Sequence, residues 1–188
     1  MSTKALIGIL LAGTVGLLIF LFVHLSGESN QVTIGSKEAT AGCTKGSEDC
    51  LPDVGYVDTT GSAHTVDSLK GKVVIINFWA TWCGPCKKEI PELSKLYKKY
   101  KSQGVVMLGV LTSDNPSDSE LLNFESDYEM EFPVVRQNSD ILLSFNYPQA
   151  LPTTFVFDRT GRRVGQPHVG AIRADELDAE LSQLVAQK

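Results

Sequence analysis

The chain has 188 residues, 43% of them hydrophobic and 21% charged, enough for one domain with a sizeable core and some length to spare. A formal net charge of -5 and a pI near 5.2 offer phosphates no basic face, which excludes nucleic acid as a partner. The four cysteines fall as two pairs, Cys43 with Cys50 and Cys83 with Cys86, more than thirty residues apart, so the pairs are expected to do different jobs.

From Ala5 to Val23 no residue is charged. At about 1.5 Å per residue such a run spans most of a hydrocarbon core of about 30 Å, longer than the apolar part of a cleaved signal peptide. Residues 5–25 are therefore expected to be a retained, single-pass anchor, with a cleaved signal as the alternative. Lys4 precedes the run and Glu28 follows it, which places residues 1–4 in the cytoplasm and the rest outside, on the periplasmic or outer face of the cytoplasmic membrane. That compartment is oxidising. Residues 26–50 are rich in Ser, Gly, Thr and charge and read as a flexible spacer. Thr40-Ala41-Gly42-Cys43 resembles a lipidation signal, but the apolar run that such a signal needs does not directly precede the cysteine. Within the spacer Cys43 and Cys50 enclose a short polar loop, and three readings stay open: a structural disulfide, two free thiols, or a redox pair that relays to Cys83 and Cys86.

Residues 51–188 carry the folded domain. Two short strands around a Gly61 turn, 54–58 and 63–66, form a β-hairpin, followed by a short or helical turn over 67–72. The run Val73 to Trp79, apolar and β-branched almost without break, suits a strand covered on both faces. After Cys86 the residues Ile90, Leu93, Leu96, Tyr97 and Tyr100 recur at helical spacing, with lysines opposite and Gly104 as the stop, while Pro91 inside is expected to kink the helix. Val105 to Leu111 is a second buried strand, completing a β-α-β unit with a parallel crossover. Residues 119–130 read as a short helix with Leu121, Leu122, Phe124 and Tyr128 inward. A short strand at 132–135, a helical turn at 139–145, an antiparallel pair 153–157 and 162–169 around the Asp158 to Gly161 turn, and a closing helix over 174–186 complete the domain.

The chemistry is concentrated in Trp82-Cys83-Gly84-Pro85-Cys86, where a strand gives way to a helix. Two cysteines at this spacing can form and break a disulfide within one helical turn. At the helix start Cys83 faces unpaired amides and the positive end of the helix dipole, which lowers its thiol pKa and makes it the nucleophile. Cys86, one turn deeper, resolves the mixed disulfide. Glu89 lies three residues beyond Cys86 on the same helix face, either as a partly buried carboxyl that carries Cys86's proton or as an ordinary surface charge. Trp82 is expected to be partly exposed beside the reactive sulfur, and Trp79 to be core. His24, His64 and His168 fall in unrelated places, and none is assigned a site. Metal binding lacks further ligands at suitable spacing, and haem attachment lacks a histidine after Cys86, so no metal and no cofactor are expected.

Leu69-Lys70-Gly71-Lys72, the run NFWATWCGPCKKEIP, Phe132-Pro133-Val134, Leu151-Pro152-Thr153-Thr154-Phe155 and the Asp158 to Gly161 turn together resemble the membrane-anchored TlpA/ResA-like group of thioredoxin-fold proteins. The resemblance covers about Pro52 to Val185. It implies an α/β thioredoxin fold, a mixed central sheet flanked by helices, here with an N-terminal β-hairpin extension and the single N-terminal transmembrane helix. Ordinary cytosolic thioredoxins carry a buried aspartate where this chain has Asn77, whereas the TlpA/ResA-like group is similar to this chain there and places a catalytic glutamate where Glu89 stands. The resemblance also implies a cis-proline at Pro152, with Trp82, Gly84, Pro85, Leu151 and Pro152 forming the surface that meets the substrate. The implied activity is reduction of disulfides in specific extracytoplasmic proteins, for example in cytochrome c maturation. The implied partners are such a protein disulfide and a transmembrane thiol-disulfide reductase as electron donor. A disulfide-forming oxidase or isomerase is the alternative within the class, and a copper-delivery module or a non-catalytic adaptor the alternatives outside it.

Overall fold

The computed structural model describes Leu17, Phe20, Cys43, Ser47 and residues 49–187. Apart from Leu17 and Phe20, the expected anchor over 5–25 lies outside the described residues, as does most of the spacer. Among the described residues no helix is long and apolar enough to cross a membrane.

A five-stranded sheet forms the centre. Its strands are β3 (Val73–Trp79), β4 (Val105–Leu111), β5 (Val134–Arg136), β6 (Thr153–Phe157) and β7 (His168–Val169), in the spatial order β5-β4-β3-β6-β7. Strands β4 and β5 run parallel to β3, whereas β6 runs antiparallel to both its neighbours, β3 and β7, so the sheet is mixed. All seven residues of β3 are buried, as its lack of polar alternation requires of a central strand. Helix α2 (Gly84–Tyr100) connects β3 to β4, and α5 (Ala174–Ala186) closes the chain. Val73, Ile75 and Trp79 pack on one face of the sheet with Ile90 and Leu93 of α2 and Leu177 and Leu181 of α5. Val74, Ile76 and Phe78 pack on the other with Phe145, Phe155 and Phe157, where the Phe78 and Phe145 rings meet edge to face at 5.1 Å.

The hairpin is shorter than its sequence pattern, β1 (Tyr56–Val57) against β2 (Ala63–His64), and Val66 already opens a four-residue helix, α1 (Val66–Leu69). Asp58 holds the turn: its carboxylate accepts from the Thr60 amide and hydroxyl and from the Ser62 amide, and lies 2.8 Å from His64 Nε2. The hairpin continues the sheet past β5, through the Asp58–Val135 bridge and the Thr59 amide on the Val134 carbonyl. Helix α2 runs continuously through Pro91 and passes into a 3-10 turn (Lys101–Gln103) that ends at Gly104, whose φ of 88° is the left-handed conformation glycine accepts most easily. Beneath this end Arg159 donates to the carbonyls of Gly71, Gln103 and Val185, joining three chain segments.

Two expectations need correction. Leu122 does not face inward: it is 63% exposed, whereas Leu121 is 2% exposed. Helix α3 (Asp118–Asp127) starts at the Ser117–Glu120 capping box, and one step from Leu121 to Leu122 turns the side chain about 100° away from the core. The strand expected over 162–169 is reduced to an isolated Phe157–Arg163 bridge and the two residues of β7. Gly165, at φ 62°, turns the chain away from β6, and Pro167 has no amide hydrogen for the ladder. Between β5 and β6 lies α4 (Ser139–Ser144). The packing difference in α3 is directly measurable. Leu121→Ala is expected to cost about 2–5 kcal/mol in denaturant unfolding and Leu122→Ser less than about 0.5 kcal/mol; equal losses would contradict this packing.

Candidate active site

The end of β3 and the start of β6 lie side by side, because Phe78 pairs with Thr153. The chain leaving β3 therefore delivers Trp82 and Cys83 to the same end of the sheet at which Leu151-Pro152 enters β6. The Leu151–Pro152 peptide bond is cis, and the Pro152 carbonyl accepts from the Gly170 amide at 2.8 Å. Leu151 is half-buried and Pro152 buried.

Cys83 is the N-cap of α2, with extended backbone, and its sulfur accepts from the Cys86 amide at 3.2 Å. Pro85 sits in the first turn, where a missing amide hydrogen costs no helical bond. The two sulfurs are joined, with Cα atoms 5.3 Å apart. Cys86 is fully buried, whereas Cys83 keeps 3% of its surface, so an incoming thiol reaches the bridge only at Cys83. Gly84 and Pro85 are exposed beside it, and Trp82 is 62% exposed, its indole donating to the Ser113 carbonyl at 3.0 Å. Asp114 braces the same loop by accepting from the Thr81 amide at 2.8 Å and hydroxyl at 2.6 Å. Trp79, in contrast, is wholly buried and stacks on Phe124.

Glu89 is 4% exposed, on the face of α2 that carries Cys86 toward the sheet. One carboxyl oxygen accepts from Asn77 Nδ2 at 2.9 Å and the other from the Ile172 amide at 3.0 Å. The same Asn77 nitrogen also donates to Thr154 Oγ1 at 3.0 Å. Burial pushes Glu89 up to about 7, against the two hydrogen bonds, which pull it down. A carboxyl poised near neutrality can both take and give a proton at working pH. Asn77 thus acts as the donor that orients Glu89. Neither the Ile172 amide nor the Ser113 carbonyl leaves any trace in residue type, whereas Thr154 stands in the run Leu151 to Phe155 already singled out.

Cys43 and Cys50 form a disulfide with Cα atoms 5.6 Å apart. The Leu51 amide donates to Gly161 and the Arg163 amide to Asp49, fastening this segment to the turn after β6. That turn lies at the far end of β6 from Pro152, about 15 Å of strand away. The bridge therefore does not sit beside Cys83 and Cys86, and a direct relay between the pairs is not built into the fold. A cavity of about 810 Å³ adjoins it, lined by Phe145, Phe155 and Phe157 among others. Among the described residues no cluster of three or more His, Cys, Asp or Glu side chains could hold a metal ion.

A local disulfide with one approachable sulfur at a helix head serves thiol-disulfide exchange, and the mixed sheet beneath it is the thioredoxin fold. The AhpC/TSA family model matches residues 48–162. Thioredoxin-like protein YneN of Bacillus subtilis (strain 168) is 31% identical over 166 residues, 88% of this chain and 94% of that protein. Thiol-disulfide oxidoreductase ResA of the same strain is 36% identical over 151 residues, 79% of each. Among solved structures, a thiol:disulfide interchange protein of the thioredoxin family from Chlorobium tepidum TLS has a TM-score of 0.63 at 28% identity, covering 76% of this chain and 99% of that one. The chain belongs to the AhpC/TSA family and, within it, to the thioredoxin-like thiol-disulfide oxidoreductases.

The position of Glu89 has a thermodynamic signature. Between pH about 4.5 and 7 the folded protein keeps a proton that the unfolded chain has released, so this residue's contribution to stability falls as pH rises through that window and is level above it. The difference is on the order of 3 kcal/mol. In denaturant unfolding of the oxidised protein, Glu89→Gln should gain on the natural chain by up to that amount between pH 4.5 and pH 8; a constant gap would contradict the buried carboxyl.

Proposed function

We propose that the chain is a membrane-tethered oxidoreductase that reduces disulfides of particular proteins outside the cytoplasmic membrane. The observation that carries the chemistry is the Cys83–Cys86 bridge at the head of α2, reachable at Cys83 alone and backed by buried Glu89. In the reduced form the Cys83 thiolate attacks one sulfur of the substrate disulfide, forming a mixed disulfide and expelling the other substrate sulfur as a thiolate. Cys86 passes its proton to Glu89 and attacks the Cys83 sulfur, closing the Cys83–Cys86 bridge and releasing the second substrate sulfur. Two electrons have then moved to the substrate. A transmembrane thiol-disulfide reductase restores the dithiol.

Trp82, Gly84 and Pro85 supply the exposed surface next to Cys83, and Leu151 and Pro152 supply the chain edge beside it, a suitable platform for an extended peptide. The tether rests on the uncharged run from Ala5 to Val23, which also places the domain on the extracytoplasmic side. The reducing direction rests on the thioredoxin-like Gly84-Pro85 pair and on the likeness to ResA, with cytochrome c maturation as the assembly task served. The Cys83–Cys86 pair is testable by trapping. In cells, Cys86→Ser is expected to accumulate mixed disulfides through Cys83, and Cys83→Ser none; equal, empty profiles from both variants would contradict the exchange mechanism.

A further inference from the structure

With 62% of Trp82 exposed, packing does little to fix its indole. A hydrogen bond holds it instead, Nε1 donating to the Ser113 carbonyl at 3.0 Å. The direction of that carbonyl depends on Ser113 itself, whose φ of 54° is a left-handed conformation that a residue with a Cβ keeps only under constraint. The constraint comes from another strand. Gln137, directly after β5, presents its Oε1 to the Ser113 amide at 3.1 Å and to the Thr112 hydroxyl. The Ser113 amide can only donate, so the oxygen of Gln137 and not its nitrogen makes the contact. Backbone bonds fix both ends of this side-chain bridge: the Thr112 amide donates to the Trp79 carbonyl at 2.9 Å, and the Gln137 amide to the Leu111 carbonyl at 3.0 Å. Asp114 holds the backbone just before Trp82, through Thr81, which leaves Gln137 to set the peptide that the indole grips.

We propose that Gln137 is a positioning residue: it fixes the pose of Trp82 through Ser113 and thereby favours peptide disulfides over small ones. This rests on the reading of Trp82 as part of the surface that meets the substrate. An indole already held in place loses less freedom when a peptide covers it, so the gain appears only with a substrate large enough to lie on Trp82. A disulfide that reaches Cys83 without covering the indole gains nothing. Gln137 acts through its accepting oxygen alone, which separates its role from that of mere side-chain bulk.

The test uses the full chain, reduced at Cys83 and Cys86, in single turnover against two disulfides: insulin, whose chains can cover Trp82, and 2-hydroxyethyl disulfide, which is too small to do so. Gln137 is exposed, so its variants are expected to fold. Gln137→Met keeps the length and loses the acceptor. It should slow the reaction with insulin about fivefold, leave that with 2-hydroxyethyl disulfide unchanged, and lower the fluorescence anisotropy of Trp82, to which wholly buried Trp79 adds a constant. Gln137→Glu, which keeps an accepting oxygen, should match the natural chain in all three. An unchanged insulin rate in Gln137→Met, equal losses on both disulfides, or a Gln137→Glu variant as slow as Gln137→Met would overturn the proposal. Trp82→Ala separates the two levels. If it leaves the insulin rate unchanged, Trp82 is no substrate contact, and the positioning role fails with that reading; if it slows insulin while Gln137→Met does not, the reading stands and the positioning role alone fails.

Discussion

A carboxyl buried where water cannot reach it must be matched on every side, and in this protein that requirement falls on Glu89. Asn77 answers it from the central strand and the Ile172 amide from the segment between β7 and α5. One side chain of α2 thereby binds the first half of the fold to the last. Leucine at 89 would fill the space and leave the Asn77 amide and the Ile172 N–H with less to bond, and the helix would lose its one proton carrier next to Cys86. Structure and chemistry depend on the same two hydrogen bonds.

The other half of the site is a matter of where chains end. Strand β3 stops at Trp79 and β6 starts at Thr153, at one end of the sheet. The helix that must follow a parallel strand therefore begins there, and its unpaired amides point at Cys83. A thiolate at that position is stabilised by backbone that every sequence possesses; the residues that matter locally are the two cysteines and a proline that fits the first turn. Cys86 is placed one turn down, out of reach of solvent, so attack and resolution are assigned to different sulfurs by depth alone.

Much of this was legible in the residues. Val73 to Trp79 and Val105 to Leu111 appear as strands with the bounds their apolar runs mark, because a doubly covered strand lacks the polar alternation that would blur its ends, Asn77 being the one polar side chain inside them. The closing helix 174–186 follows its leucine stripe. Leu122 was misplaced because neighbouring leucines look alike in a periodic pattern, and only the phase set by the Ser117 cap decides which one is buried. The ladder over 162–169 was overestimated because Gly165 and Pro167 outweigh the β-favouring residues around them. At the site, Cys83, Cys86 and Glu89 stand out by type and spacing. The Ile172 amide does not, since a backbone donor carries no residue signature.

The central claim is that the Cys83–Cys86 pair works as a reductant. Its equilibrium potential at pH 7, measured against glutathione or dithiothreitol buffers, tests that most directly. The account predicts a value close to thioredoxin's, about -270 mV, with the Cys43–Cys50 bridge counted separately. A value near that of a strong oxidant such as DsbA, about -120 mV, would contradict it.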